Sequence, residues 1–288
     1  MVSRADKSSA HQIFFTTTMN NIGKNSFDIG RMDALASGDS LLHRLDPRAK
    51  LITTLLFIIA VVSFDKYTLS AILPFFIYPI VLISLGGLPY KYLLKKVLIV
   101  SPFAILIGIF NPLLDRETLF HIGSIGVSGG VVSFLSILLR FVLTVNAALI
   151  LISLTGFNAV CESLRKFGVP RPFIIQLLFF YRYLFVMTDE AERMVRARSL
   201  RVLNSRAMSF RTFISLIGHL LLRTLDRAER IYRAMCCRGF DGHIYIIRSM
   251  KISYPEIVFM SVWVPLFVLF RYTNVPLNLG TLITGLLK

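Results

Sequence analysis

The chain has 288 residues, 55% of them hydrophobic and 17% charged, with a formal net charge of +16. A soluble chain has roughly 45–50% apolar and about 25% charged residues, so long apolar runs here read as membrane spans rather than core helices. The basic excess then fits positive charge kept on the cytoplasmic side, and three cysteines, two of them adjacent, exclude a disulfide framework.

Residues 1–46 form a polar N-terminal segment. The first 50 residues lack the apolar run of a secretory signal, which predicts a cytoplasmic N-terminus. Ser37-Gly38-Asp39-Ser40 reads as a turn. Asp46 is a good N-cap, and Pro47 suits the first helical turn. The helix opened there runs into Leu51–Phe64, the first predicted span. Tyr67–Gly86 is the second, with Pro74 and Pro79 inside it. Gly87–Lys96 carries Lys91, Lys95 and Lys96 and reads as a short interfacial helix. Val97–Leu114 is the third span, Asp115–Gly126 a loop, and Val127–Thr155 the fourth span, with Arg140 and Asn146 within it. A charge inside a span faces the bundle or snorkels.

From 156 to 251 the character changes, with 17 Lys+Arg against 7 Asp+Glu. Amphipathic helices are expected over Pro172–Met187 and Phe210–Leu225, with breaks at Gly168-Val169-Pro170 and Leu203-Asn204-Ser205. Ile252–Phe270 is a fifth span, followed by a tail to Lys288. The segments are thus 1–46, transmembrane helices over 47–155, a cytoplasmic helical domain over 156–251, and a last span with its tail over 252–288. The fold class is all-α, a multi-pass membrane protein with about five spans. Basic residues concentrate in 31–50, 87–96 and 156–251, which places these segments in the cytosol.

One stretch occurs twice. Ala191-Glu192-Arg193-Met194-Val195-Arg196-Ala197-Arg198-Ser199 is echoed by Ala228-Glu229-Arg230-Ile231-Tyr232-Arg233-Ala234, which continues to Cys237-Arg238-Gly239. Asp189/Arg193, Glu192/Arg196, Asp226/Arg230 and Glu229/Arg233 are acid-then-base pairs one helical turn apart. Gly239 is suited to a helix C-terminus. A solvated charged face would explain such helices; the sharper reading is that their arginine ends dock into a partner. Phe210, Phe213, Leu216, Ile217, Leu220 and Leu221 recur at helical spacing as a one-sided apolar face. Replacing Arg223, outside both triplets, by alanine is expected to be much milder than replacing a triplet arginine and to serve as a control.

Enzyme motifs are missing. There is no Gly-x-x-x-x-Gly-Lys-[Ser/Thr] loop, no His-Glu-x-x-His and no Gly-x-Ser-x-Gly, and the five histidines are dispersed. No catalytic residue, metal ligand set or cofactor is expected, and any ATP hydrolysis belongs to a partner. A free-standing channel or carrier would need polar groups at mid-membrane, where only Arg140 and Asn146 stand. A membrane-anchored nucleic-acid binder would want unpaired basic residues interleaved with aromatics, whereas at least four arginines here have acids one turn away.

Leu42-His43-Arg44-Leu45-Asp46-Pro47-Arg48-Ala49-Lys50, opening the first span, resembles the start of the transmembrane T component of energy-coupling factor (ECF) transporters. The order of four spans, basic helices and a last span is similar too. The two triplets resemble that family's paired Ala-Arg-Gly-type motifs, here Ala197-Arg198-Ser199 and Cys237-Arg238-Gly239. Phe27-Asp28, Arg31, Asp33 and residues 37–40 resemble the cobalt-transport branch, CbiQ. The resemblance implies a non-catalytic coupling subunit in the inner (plasma) membrane, working in cobalt transport for cobalamin biosynthesis. It implies a dimeric CbiO-like ABC ATPase as partner, contacted by Arg198, Arg238 and their flanking residues. A metal-binding CbiM-like S subunit would contact Phe213, Ile217, Leu220 and Leu221. A small CbiN-like subunit is also admitted, beside membrane lipid, and no nucleic acid.

Overall fold

The computed structural model describes residues 30–65, 68–110, 118–122, 125–201, 210–242 and 254–273. The protein is an all-α membrane protein. Its helices are α1 (Leu41–Arg44), α2 (Pro47–Val62), α3 (Leu69–Ile72) with a 3-10 turn Leu73–Phe76, α4 (Ile77–Gly86) and α5 (Tyr90–Gly108). Two short strands follow, β1 (Thr118–Ile122) and β2 (Ile125–Ser128). Then come α6 (Gly129–Thr155), α7 (Phe157–Lys166), α8 (Arg171–Arg201), α9 (Phe210–Cys237) and α10 (Tyr254–Tyr272).

The chain divides into two compact units. One comprises Asp33–Ser163 and Arg248–Lys288, the other Met1–Met32 and Leu164–Ile247. The first holds the membrane bundle. Among the described residues, three helical segments, Leu69–Gly86, Gly129–Thr155 and Tyr254–Tyr272, are long and apolar enough to cross a membrane. Helices also stand where the other two of the five expected spans were placed, but each falls short on one count. At 1.5 Å per residue the 16 residues of α2 reach only about 24 Å, against a hydrocarbon core of about 30 Å. Lys91, Lys95 and Lys96 lie in the first two turns of α5.

Asp46 caps α2 as its sequence suggests: Oδ1 accepts from the Arg48 N–H at 2.9 Å, with Pro47 in the first turn. The segment Gly87–Lys96 differs from expectation. It is not a separate interfacial helix. The chain turns earlier, at Gly87 to Pro89, and α5 then runs unbroken from Tyr90 through Pro102 to Gly108. In the second span, Pro74 falls in the 3-10 turn, which tightens the helix where a proline removes a donor. The expected loop over 115–126 contains part of an antiparallel hairpin, with Thr118 opposite Ser128 and Ile122 opposite Ile125.

Lipid supplies no hydrophobic drive between helices, so tight packing and polar contacts must hold the bundle. Aromatic rings from α2, the 3-10 turn, α4 and α10 provide much of it. Phe57, fully buried, lies 4.5 Å from Tyr78 and 5.4 Å from Phe267 between ring centroids. Tyr78 meets Trp263 edge-on at 4.9 Å. Such pairs contribute about 0.5–1.5 kcal/mol each beyond buried area. The Tyr78 hydroxyl is matched by Thr54 Oγ1 at 2.9 Å, so the core holds no stranded phenol.

The C-terminal end of α2 leaves carbonyls without helical partners. An arginine of α10 reaches one of them, and an arginine of α6 reaches a carbonyl just past the helix end. Arg140 of α6 donates through Nη2 to the Asp65 carbonyl. Arg271 of α10 donates to the Ser63 carbonyl at 3.0 Å, its guanidinium 4.6 Å from the Phe64 ring centre. Arg140 therefore makes a lateral contact, one of the two outcomes its depth in the span allows. Outward, side chains such as Ile59, Leu98 and Phe103 stay exposed, as a lipid-facing surface requires.

Candidate functional site

The second unit is built on α8 and α9. Each helix begins apolar and ends charged. The expected break at 168–170 is present: Val169 N–H reaches back to the Leu164 carbonyl, and α8 restarts at Arg171. The expected break at 203–205 lies outside the described residues. Arg223 of α9 forms an ion pair with Glu190 of α8. Ile175 and Phe240 line one groove with Ala191 and Leu220, which sets the two helices in opposite directions. Arg198 lies about two turns beyond the ion pair and Arg238 about four turns beyond it. The opposed chain directions carry the two arginines away from the pair in opposite directions.

The two triplets sit differently. Cys237-Arg238-Gly239 ends its helix. The Phe240 N–H bonds the Met235 carbonyl and the Gly239 N–H bonds the Cys236 carbonyl, both at 3.0 Å. This double closure needs a left-handed residue at Gly239, whose φ is 78°, and it leaves Arg238 as the last residue before the chain turns. Ala197-Arg198-Ser199 instead lies inside the last turn of α8, which continues to Arg201. Ser199 Oγ donates to the Arg196 carbonyl at 2.8 Å, satisfying itself within the helix. The substitution of serine for the expected glycine thus leaves no helix stop at this point.

Arg238 is exposed and Arg198 half-buried. Among the described residues, neither has a hydrogen-bond or ion-pair partner. Of the four one-turn pairs read from the sequence, Glu229–Arg233 closes, while the other three do not meet within bonding distance. Arg223, read as the site of a mild control change, forms an ion pair between the two helices. A spacing rule within one helix could not show this partner.

The apolar residues also sort by face. Ile217 and Leu221 are exposed, with Ile214 and Leu225 continuing the same stripe at three- and four-residue steps. Phe213 and Leu220 are half-buried, and Leu220 helps line the groove between α8 and α9. That groove has a volume of about 810 Å³ and is lined by Phe179, Tyr183, Met187, Ile231, Tyr232 and Met235 among others. Cys236 and Cys237 are exposed free thiols. Cys161, on α7, is buried, and burial pushes its thiol up to about 11.

The sequence profile of the cobalt transport protein family CbiQ matches residues 38–247. The chain belongs to the CbiQ family. The matched region takes in the Leu42–Lys50 motif, both arginine triplets and the whole of α8 and α9. An uncharacterised protein of Methanocaldococcus jannaschii is 29% identical over 230 residues, covering 76% of this chain and 78% of its own. The energy-coupling factor transporter transmembrane protein EcfT of Leuconostoc gelidum is 27% identical over 255 residues, covering 81% and 91%. The EcfT protein of Bacillus subtilis is 27% identical over 220 residues, covering 71% and 82%. As an ECF T component of this family, the chain carries its paired arginines on two helices of one unit.

Proposed function

We propose that this CbiQ-family chain is the coupling subunit of an ATP-driven importer for a transition-metal ion, cobalt by its family. A dimeric CbiO-like ATPase supplies the energy and a CbiM-like S subunit holds the metal; a small CbiN-like subunit is compatible with this set but not required by it. The chain itself catalyses nothing. The observation that carries the reading is the pair of arginines without internal partners, held on opposed helices that also present an exposed apolar stripe. Arginine offers a rigid multi-donor fork for carboxylates and backbone carbonyls. Arg198 and Arg238 would each enter a groove on one ATPase subunit, with Ala197, Ser199, Cys237 and Gly239 allowing close approach. The stripe at Ile217 and Leu221 would hold the S subunit. Closure of the ATPase on ATP then moves α8 and α9 and tips the S subunit.

The proposed orientation puts the N-terminus and residues 156–251 in the cytosol of a multi-pass inner-membrane protein, by the placement of Lys and Arg. The test uses cells expressing the chain with an ATPase and a metal-binding subunit. Cobalt or nickel uptake is expected only when all three are present. In the same cells, an impermeant thiol reagent is expected to reach Glu117→Cys from outside and Ser199→Cys only after lysis. Uptake by the chain alone, or labelling of Ser199→Cys in intact cells, contradicts the reading.

A further inference from the structure

The motif Leu42–Lys50 is explained by neither the arginines nor the apolar stripe. In the membrane unit it folds into a buried polar cluster. Lys50 is 4% exposed, and its Nζ donates to the carbonyls of His43 at 3.3 Å and Leu154 at 2.9 Å. Glu256 is 5% exposed, and its Oε1 accepts the backbone N–H of Asp46 at 3.1 Å. His43 is itself fixed on both ring nitrogens, Nδ1 to Ser40 Oγ at 2.6 Å and Nε2 to the Leu35 carbonyl at 2.9 Å. Asp46 is committed to capping α2.

The chain positions of the two distant contacts are informative. Leu154 lies in the last turn of α6, where Gly156 (φ 79°) turns the chain into α7 and on to the coupling helices. Glu256 lies in the first turn of α10, just after the chain has come back. So the end of α6 and the start of α10, the two helices that flank the coupling region in the chain, are both tied to the start of one helix, α2. The Lys50 side chain also reaches the C-terminal end of α6, the negative end of that helix's macrodipole. Buried charged groups of this kind set geometry more than they stabilise, and breaking one partner leaves the others stranded.

We infer that Lys50 and Glu256 are positioning residues that lock the end of α6 and the start of α10, which flank the coupling helices in the chain, to α2, so that helix movement reaches the membrane bundle as one displacement. This rests on the coupling function proposed above. The test measures metal transported per ATP hydrolysed in the purified, reconstituted complex. Lys50→Met keeps the stem and loses the donor; Glu256→Met loses the acceptor; Glu256→Gln keeps it. The two Met variants are expected to retain the ATPase in a pull-down and to hydrolyse ATP, with transport per ATP at least tenfold lower. Glu256→Gln is expected to stay within about twofold of the parent. Phe57→Leu, which loosens the aromatic core away from the cluster, is expected to lower thermal stability without changing that ratio. Met variants that transport as well per ATP as the parent overturn the inference, as does an equal loss in Phe57→Leu or Glu256→Gln. If Lys50→Met does not fold, the Glu256 pair decides alone. Failure of the coupling reading itself would differ, because the parent chain would then lack an ATPase partner.

Discussion

Replacing Arg198 and Arg238 together by glutamate is expected to release the ATPase from the membrane subunit. Both side chains lack partners within the described chain, so the change removes no internal bond. Arginine is enriched among residues that dominate interfaces, and truncating one partner of a buried charge pair costs about 2–5 kcal/mol. Two anchors on one scaffold give avidity, so either single alanine variant should weaken coupling only partially. If carboxylates receive the arginines as proposed, glutamate at both sites adds repulsion against them. Arg223 is unsuitable as a control, because its loss would unpair Glu190 and loosen the two helices from each other. Arg227, exposed and without an internal partner, is the proper one, and Arg227→Glu is expected to leave ATPase recovery near the parent level. A pull-down quantifying ATPase per membrane subunit reads all of these. Full ATPase recovery with the double variant would reduce the triplets to ordinary helix ends.

Ile217→Asp with Leu221→Asp is the second large effect. Both side chains are exposed, so the helix tolerates the change, and α9 keeps its Arg223 link to α8. At an interface each would bury about 1.5–3 kcal/mol of apolar contact. Losing both weakens binding by about two to four orders of magnitude, since 1.4 kcal/mol is tenfold. The S subunit should be lost while the ATPase remains bound. Phe213 and Leu220 give a less clean test, because they are half-buried and Leu220 lines the groove. Unchanged S-subunit recovery would remove the stripe from the account.

Two helix boundaries follow from causes within one turn of chain. Asp46-Pro47 opens α2 because a carboxylate and a preset φ act within one turn, and Gly239 ends α9 because its position requires a left-handed residue. The turn at Gly87 to Pro89 shows the limit of this approach. Glycine and proline marked a boundary, but the lysines after it suggested a second one that α5 does not have, since long side chains can reach water from a continuous helix. The Glu190–Arg223 pair and the Lys50–Leu154 and Asp46–Glu256 contacts join residues far apart in the chain. Helical spacing is silent about such partners. The sorting of Phe213 and Leu220 from Ile217 and Leu221 depends in the same way on which face meets α8.

The most direct measurement is to solubilise the tagged chain from its native membrane in mild detergent and identify what accompanies it. An ABC-type ATPase and a metal-binding membrane S subunit are expected, both remaining through a size-exclusion step and both dependent on the residues named above. A chain that emerges alone and conducts or exchanges ions by itself in vesicles, or one that emerges with nucleic acid, would contradict it.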